Sequence, residues 1–254
     1  MKIKGFYTTV FPRSGDLILN LYTGGSFGNR ISNYATPWAT LNKLYLSGLF
    51  SREGLHLQQY GACDAYAIKI HPVIGYYLLG IPMHELVDKQ VQISNVLESK
   101  GMGLRRIEKS EKLRSIGNKH LTKFLISILP EKSVYSNDPI YHIVNFIKDR
   151  HGLVAIRELA SLYCMSERTM NRQFLLKVGL SAQAYAKIWQ VEYAMLLIQQ
   201  NPMKSLDEIA FISGYYDTAH LSRDFRRKVD LSPSSFRSQT SKLTLNYLDT
   251  KRFF

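Results

Sequence analysis

Cysteine is scarce in this sequence, and long apolar runs are absent. Only two cysteines occur in 254 residues. Because Cys63 and Cys164 lie far apart and in no paired motif, we expect free thiols in a reducing, cytoplasmic setting rather than a disulfide. No run of 18 apolar residues occurs, so the sequence predicts no membrane-spanning helix. The opening MKIKGFYTTVFPRSG holds no continuous apolar segment of secretory type, and we expect no export signal.

Spacings typical of metal or catalytic sites are lacking as well. His56, His71 and His84 are scattered rather than set at ligand spacing, so the sequence predicts no metal site and no cofactor. Cys63, in YGACDAY, has neither a His nor a second Cys close by to activate its thiol. We therefore predict no catalytic residues and no enzyme.

Acidic residues are few relative to basic ones. There are 33 Lys and Arg against 20 Asp and Glu, giving a formal net charge of +13 and a pI near 9.6. Such a balance favours a polyanionic partner, either nucleic acid or an anionic membrane surface. Apolar residues make up 45% of the chain, which is enough for sizeable cores.

The sequence changes character near residue 130. Before it, runs such as DLILNLYTGG, LNKLYLSGLF and AYAIKIHPVIGYYLLG are short and cut by Gly or Pro, a pattern typical of strands. We predict an α+β domain over 1–130, β-rich and sheet- or barrel-like with added helices, followed by a polar linker at 131–138. Residues 139–239 are predicted to form an all-α domain, with a C-terminal tail at 240–254.

A cationic helix is predicted over residues 104–128. Its apolar residues fall partly at helical spacing, while eight cations and two acids lie between Lys100 and Lys123. The cationic face is either an ordinary solvated surface or part of a contact that forms a homodimer.

The C-terminal half contains an internal repeat. Residues 157–185 align with 207–236, first at an offset of 50 and then of 51. The matched pairs are Glu158 and Glu208, Leu159 and Ile209, Ala160 and Ala210, Met170 and Leu221, Arg172 and Arg223, Phe174 and Phe225, Val178 and Val229, Leu180 and Leu231, Ser181 and Ser232, and Tyr185 and Phe236. One residue is therefore inserted between the two helices of the second copy.

Each copy has the pattern of a helix-turn-helix motif, about 154–178 and about 205–228. A small Ala permits close helix approach, Gly214 suits a positive φ in the second turn, and Ser166 and Asp217 are good N-caps. Residues 181–200 lack Gly and Pro and predict one linker helix of about 30 Å. Because adjacent major-groove segments of B-DNA lie about 34 Å apart, this helix can hold two reading heads on one duplex.

The outward residues of the second helix of each motif suit DNA. Arginine pairs with guanine, asparagine with adenine, and Ala or a Thr methyl contacts a thymine methyl. Hydroxyls and cations on the same helices are suited to phosphates. The residues predicted to contact phosphate are Thr169, Lys177, Ser222, Arg226, Arg227 and Lys228.

Residues 139–239 resemble the AraC/XylS family of bacterial transcription regulators. The resemblance rests on IAFISGYYDTAHLSRDFRRKVDLSPSSFR, where the family signature falls on Ile209-Ala210, Gly214-Tyr215, Asp217, His220, Arg223, Phe225, Ser232-Pro233 and Phe236-Arg237. Asp230 departs from the pattern, since Gly is commoner there. The family pattern places base reading on Arg168, Asn171, Arg172, Thr218, Ala219, His220 and Arg223.

The resemblance implies sequence-specific binding of double-stranded DNA and transcriptional control, usually activation through contact with RNA polymerase. Two alternatives are an enzyme of the DNA-repair alkyltransferase type, with which some such DNA-binding units are fused, and an architectural module without a dedicated operator. Such a regulator acts in the bacterial cytoplasm and, when bound, at the nucleoid, and we expect no membrane partner.

The N-terminal half resembles an uncharacterised domain found ahead of such regulators. This resemblance rests on YAIKIHPVIGYYLLGIPMHELVDKQVQISNVL, and it implies a sensor of a small-molecule effector or a dimerisation unit. Aromatic bodies with polar tips are available either to line an effector pocket or to pack within a small sheet domain. These residues are His56, Tyr60, Tyr66, His71, Tyr76 and Tyr77.

Overall fold

The computed structural model describes residues 6–11, 15–23, 27–31, 44–51, 55–61, 64–93, 126–127 and 129–239. The predicted cationic helix over 104–128 lies outside the described residues except at 126–127. Cys63 and the predicted tail at 240–254 lie outside them as well.

The N-terminal half contains two antiparallel sheets. The first has three strands in the order β1-β5-β3, and the second has four in the order β6-β2-β4-β7. The strands are β1 Phe6–Phe11, β2 Leu17–Thr23, β3 Phe27–Ile31, β4 Leu44–Ser47, β5 Leu55–Gly61, β6 Asp64–Ile70 and β7 Gln90–Gln92.

Strand β2 shows why the second sheet forms where it does. Leu17, Leu19 and Leu21 are buried, whereas Ile18 and Asn20 between them are half-buried, as expected for a strand with one face on a core. The register sets Leu19 opposite residue 46 on one side and residue 68 on the other. A slip of one residue would turn all three leucines away from the core, so this apolar alternation fixes the pairing.

Helices make up the rest of the described chain. They are α1 Pro72–Leu79, a 3₁₀ helix Met83–Leu86, α2 Lys132–Ser136, α3 Pro139–Asp149, α4 Ile156–Leu162, α5 Glu167–Lys177, α6 Ala182–Gln200, α7 Leu206–Ile212, α8 Thr218–Val229 and α9 Pro233–Gln239. This arrangement confirms the expected fold class, a β-rich α+β part followed by an all-α part with two helix-turn-helix motifs. Helix α2 lies within the predicted linker, and the domain limits stay predictions.

Buried side chains form two clusters that meet on helix α6. The larger cluster runs from Leu17 in the second sheet, through helices α3, α4 and α5, to Trp189. The smaller one begins at Val191 and ends at Phe236, and it holds the second motif. The first motif therefore shares a core with the sheet, while the second packs on the far half of α6.

The carboxylate of Asp138 links the first motif to the N-terminal half. Its Oδ1 accepts a hydrogen bond from the backbone N–H of Ile140 at 2.9 Å and so caps α3. Its Oδ2 accepts from the Tyr77 hydroxyl at 2.9 Å and from Lys177 Nζ at 2.6 Å. Burial and this hydrogen bond raise the pKa of Tyr77 to about 12. Helices α1, α3 and α5 therefore converge on this group.

Gly179, two residues after the end of α5, allows the backbone there to approach the segment around Met83 and Val87 closely. Its φ is 96°, and a Cβ at this position would lie 2.9 Å from the carbonyl oxygen of Met83 and 2.8 Å from Cγ2 of Val87. Only glycine meets both the backbone conformation and the spacing. The end of the first motif thus rests directly on the 3₁₀ helix of the N-terminal half.

In the part of the chain that the structure describes, no helix has the length and apolarity needed to cross a bilayer.

Glu192 is a buried carboxylate near the middle of α6. Only 8% of the residue is exposed, and among the described residues its Oε2 has no hydrogen-bond partner. Burial raises its pKa to about 7; Lys69 and Lys148 oppose this rise, and Asp16 adds to it. Desolvation is the largest of these contributions and outweighs the two lysines.

We predict that Glu192 makes stability fall as pH rises from about 4.5 to 7. Its folded pKa lies above the ordinary 4.5, so in this window the folded protein keeps a proton that the unfolded chain has lost. Glu192→Gln should remove this dependence and stabilise the protein above pH 7 by up to about 3 kcal/mol. Thermal unfolding at several pH values measures it.

The exposed Glu158 provides a matched control. Glu158→Gln should keep the wild-type dependence on pH. An unchanged pH profile in Glu192→Gln would contradict the assignment.

Candidate DNA-binding site

The candidate site consists of two motifs, α4 with α5 and α7 with α8, joined by α6. Ser166 caps α5 by accepting a hydrogen bond from the Thr169 N–H at 3.1 Å. Asp217 caps α8 by accepting from the His220 N–H at 2.6 Å. Both predicted N-caps are confirmed, and they fix where each second helix begins.

The two turns share one hydrogen-bond pattern. In the first, the N–H of Met165 donates to the carbonyl of Ala160, and in the second, Tyr215 donates to Ala210, both at 2.9 Å. The offset between the two copies of the repeat is 50 at the donors Met165 and Tyr215, and it becomes 51 at the N-caps Ser166 and Asp217. The inserted residue is therefore Tyr216, whose side chain is 95% exposed.

Each turn contains one residue in the left-handed region. Gly214 has φ 72°, which confirms the expectation, and Cys164 takes the equivalent position with φ 53°. A non-glycine residue pays a steric cost in this conformation. The sequence pattern did not predict the conformation of Cys164, because nothing in its neighbourhood marks it as a turn residue.

The apolar pair at spacing four on each second helix is fully buried. Met170 and Phe174 on α5, and Leu221 and Phe225 on α8, each have 0% exposure. Phe225 also packs edge-on against Phe236 of α9, with ring centroids 5.4 Å apart. With the inner face fixed, the opposite face of each helix points away from the core.

On α5, two of the three predicted base-reading residues are exposed. Arg168 and Arg172 lie one turn apart on the surface. Asn171 is half-buried, and its Oδ1 accepts a hydrogen bond from the N–H of Ala182 at 3.2 Å. Its carboxamide oxygen thus helps to hold the start of α6, a contact that the sequence did not predict.

On α8, the residues Ala219 and Arg223 occupy the positions aligned with Arg168 and Arg172, and both are exposed. Thr218 is half-buried, and its hydroxyl donates to the Asp207 carboxylate of α7. His220 is half-buried and meets the ring of Tyr215 edge-on at 5.2 Å. Each helix therefore exposes two residues at aligned positions, Arg168 and Arg172 on α5 and Ala219 and Arg223 on α8. We call each of these pairs the outward stripe of its helix.

The next position of this stripe was not among the predicted base readers. It is Leu175 on α5, 45% exposed, and the exposed Arg226 on α8. Helical spacing of seven from Arg168 and Ala219 is the signal that points to them.

The residues predicted to contact phosphate fall into two groups. Arg226 and Arg227 are exposed, although Arg227 also pairs with Asp224 at 2.8 Å. Thr169, Ser222, Lys177 and Lys228 are half-buried. Of these, Lys177 is paired with the buried Asp138, and Lys228 donates to the carbonyl of Ser51 at 3.4 Å. In this structure both lysines contact groups outside their own motif.

The predicted effector residues lie in different parts of the N-terminal half. His56 and Tyr60 are on β5 of the first sheet, and Tyr66 is on β6 of the second. His71 precedes α1, and its Nδ1 accepts from the Val73 N–H at 3.2 Å. Burial and the nearby Lys148 lower the pKa of His71 to about 3, so the ring is neutral near pH 7.

The remaining two effector candidates lie on α1. Tyr76 and Tyr77 meet edge-on with centroids 5.2 Å apart, and the Tyr77 hydroxyl is bound to Asp138. These described contacts are structural, and the effector pocket stays a prediction. Within the described residues, no cluster of three or more His, Cys, Asp or Glu has a metal-binding arrangement.

Helix α6 spaces the two motifs. It spans 19 residues, from Ala182 to Gln200, and so extends about 28 Å. Ser181 caps its first turn by accepting from the N–H of Ala184 at 3.2 Å. One continuous, largely buried helix of this length therefore connects the two motifs.

Known proteins resemble both the motif region and the whole chain. A family model described as "Helix-turn-helix domain" matches residues 159–239. The chain is 29% identical over 112 residues to the transcriptional activator RhaS of Klebsiella pneumoniae, covering 44% of this chain and 40% of that protein. It is 26% identical over 141 residues to RhaS of Escherichia fergusonii, covering 53% and 50%.

The chain thus spans half or less of the length of these curated relatives, which are named as transcriptional regulators and not as enzymes. Among solved structures, ToxT from Vibrio cholerae O395 matches with a TM-score of 0.51 at 15% identity, over 93% of this chain and 95% of that one. A second ToxT structure, bound to (E)-4-(8-methylnaphthalen-1-yl)but-3-enoic acid, gives 0.52 at 13% identity, over 93% and 96%. At this identity the likeness establishes the fold.

We predict opposite responses to substitution at the two left-handed turn positions. Gly214→Ala adds a Cβ that meets Leu153 Cδ2 at 2.5 Å, in an unfavourable conformation. It should destabilise the protein by about 1–3 kcal/mol. Cys164→Gly relieves strain at an exposed site and should be neutral or stabilising by up to about 1 kcal/mol.

Thermal unfolding of the two variants beside the wild type measures both effects. A Gly214→Ala protein as stable as the wild type would show that this turn does not constrain the second motif.

Proposed function

We propose that the chain is a member of the AraC/XylS family through its C-terminal half, and that it is a sequence-specific DNA-binding transcriptional regulator, acting as an activator. The observation that supports this function most directly is the outward stripe that the second helices of the two motifs share. Arg168 and Arg172 on α5 match Ala219 and Arg223 on α8 in position and exposure. Each stripe reads bases in one of two adjacent major-groove segments.

Phosphate contacts position the protein on the duplex and supply sequence-independent affinity. Exposed Arg226 and Arg227 are the best placed of the predicted residues for this role. The half-buried Thr169, Ser222 and Lys228 join them once the duplex approaches, whereas Lys177 stays paired with the buried Asp138. The net charge of +13 gives such binding a favourable long-range field.

The remaining partners follow from the relatives. RhaS proteins are named as activators, so we propose activation through RNA polymerase. A ToxT structure holds a small carboxylic acid, which supports a small-molecule effector for the N-terminal half of this chain. We further propose a homodimer and a location in the bacterial cytoplasm, at the nucleoid when bound. The protein performs no catalysis under this proposal.

The first experiment is selection of binding sites from random-sequence duplexes with the full chain. We expect a recovered motif of about 15–20 base pairs that spans two groove segments. Recovery of no motif would favour an architectural role. Incubation with methylated DNA, followed by mass measurement of Cys63, tests the alkyltransferase alternative, and we expect no added mass.

We predict that Arg223→Ala weakens binding to the selected site by about 1–3 kcal/mol and relaxes base preference at one position. The reason is that a bidentate arginine–guanine contact is lost, whereas contacts with the other groove segment persist. Arg172→Ala should do the same in the other half of the site. Competition with single-base variants measures the preference. Arg150→Ala, an exposed arginine outside both motifs, is the control and should leave base preference unchanged.

We predict a different result for Arg226→Ala. Loss of a phosphate contact should weaken binding to all sequences about equally and reduce the slope of log affinity against log salt by about one. Titrations at several salt concentrations, on specific and unrelated duplexes, separate the two residues. A change in base preference without a change in slope would contradict the phosphate role.

A further inference from the structure

Helix α6 binds the second motif through two polar residues, Lys187 and Gln190. The Gln190 side chain donates from Nε2 to the carbonyls of Ser213 and Gly214, at 2.8 and 3.1 Å. Its Oε1 accepts from Lys187 Nζ at 3.0 Å. The turn of the second motif is therefore held directly by the helix that joins the motifs.

Lys187 also reaches the DNA-facing helix of the second motif. Its Nζ lies 2.5 Å from Oδ2 of Asp224, a carboxylate on α8 that is 5% exposed. The same Nζ lies over the ring of Tyr215, 4.6 Å from its centroid. Burial, together with the nearby Asp224, raises the pKa of the Tyr215 hydroxyl, which agrees with a desolvated contact. An ion pair at this depth has one defined geometry, unlike a solvent-exposed pair.

Asp224 connects this contact to the DNA-facing side of α8. Arg227 Nη2 lies 2.8 Å from its Oδ1, and His220 Nε2 lies 3.8 Å from its Oδ2. Both residues belong to the predicted DNA-contacting set. A displacement of Asp224 relative to α6 would therefore shift α8 and two of these side chains together.

The first motif has no equivalent pair. The position aligned with Asp224 is Gln173. The first motif is fixed to α6 by a large apolar core that includes Tyr185 and Trp189, and by the bond from Ala182 to Asn171. The second motif packs on α6 with a smaller, separate cluster. The orientation of the second motif on α6 therefore depends more on polar contacts, those of Lys187 and Gln190, than the orientation of the first motif does.

We propose that Lys187, Asp224 and Gln190 are positioning residues that fix the angle and distance between the two reading helices, so that the protein binds only sites with one spacing between half-sites. This inference rests on the proposed function, because it requires two heads on one duplex. One inserted base pair moves a half-site by about 3.4 Å and rotates it by about 35°. If α5 and α8 are held at a fixed distance and angle, they cannot follow this movement. If the contact between α6 and α8 is weakened, they can.

The test uses the full chain and the duplex obtained by site selection with the wild type. Affinity is measured on that duplex and on duplexes with one base pair inserted or deleted between the half-sites. For the wild type we expect a loss of at least about tenfold on the altered spacings. For Lys187→Met and Asp224→Asn, we expect the loss to shrink to about threefold or less, while the base preference within each half-site persists.

Non-additivity provides a second measure. Lys187 and Asp224 contact each other, so the double variant should relax spacing no further than either single variant. Gln190→Met, which leaves both charges in place, should relax it in the same direction. If Gln190→Met also tolerates the altered spacings, the effect cannot come only from the changes of charge in the other two variants.

The matched control is Asp16→Asn. Asp16 is also a buried carboxylate paired with a lysine, Lys148, at 3.3 Å, but this pair joins α3 to the start of β2. Its loss should lower the melting temperature without relaxing the spacing preference. A general loss of stability would therefore affect the control as well as the test variants.

The outcomes separate the two proposals. If the wild type yields no selected motif, the proposed function itself fails. If the wild type shows a strict spacing that Lys187→Met, Asp224→Asn and Gln190→Met all retain, while their melting curves show folded protein, the positioning role is wrong. A relaxed spacing in Asp16→Asn equal to that of the test variants would also overturn it.

Discussion

Burial of helix α6 is the constraint on which the described structure depends. Eleven of its 19 residues are buried, and they lie on nearly all sides of the helix. A helix that is apolar around its whole circumference requires partners on every face. Its buried apolar residues up to Trp189 pack with the second sheet and the first motif, and those from Val191 onward pack with the second motif. The two motifs are thus fixed in relation to each other because both are needed to cover one helix.

Buried carboxylates add direction to this apolar packing. Asp16, Asp138 and Asp224 are each paired with a lysine, at 3.3, 2.6 and 2.5 Å. Apolar contacts are tolerant of small rotations, whereas a desolvated ion pair is not. The three pairs also bind lysines that the net charge would count as available to a polyanion. Among the residues predicted to contact DNA, the exposed cations are all arginines, which suit phosphate and guanine better than lysine does.

Local features of the site could be predicted from the sequence, and distant contacts could not. The repeat, the N-caps Ser166 and Asp217, and the buried pairs at spacing four follow from patterns within about ten residues. By contrast, Lys177 meets Asp138 from 39 positions away, and no periodicity indicates that partner. Asn171 was predicted to read bases from its place on α5, yet its bond to Ala182 depends on how α6 starts. Strand content was evident, but the assignment of strands to two sheets depends on pairing between distant segments.

The separate core of the second motif has a consequence for how such proteins diverge. Substitutions of the apolar residues beneath α8 are felt by a small cluster from Val191 to Phe236 that includes no residue of the sheet, although Lys228 of α8 also contacts the carbonyl of Ser51. A lineage can therefore acquire a new preference in one half of its site while the other half, which shares its core with the N-terminal half, stays the same. Change in the first motif must instead remain compatible with the surface around Met83 and Val87 that Gly179 contacts. The two halves of the site are thus expected to evolve at different rates.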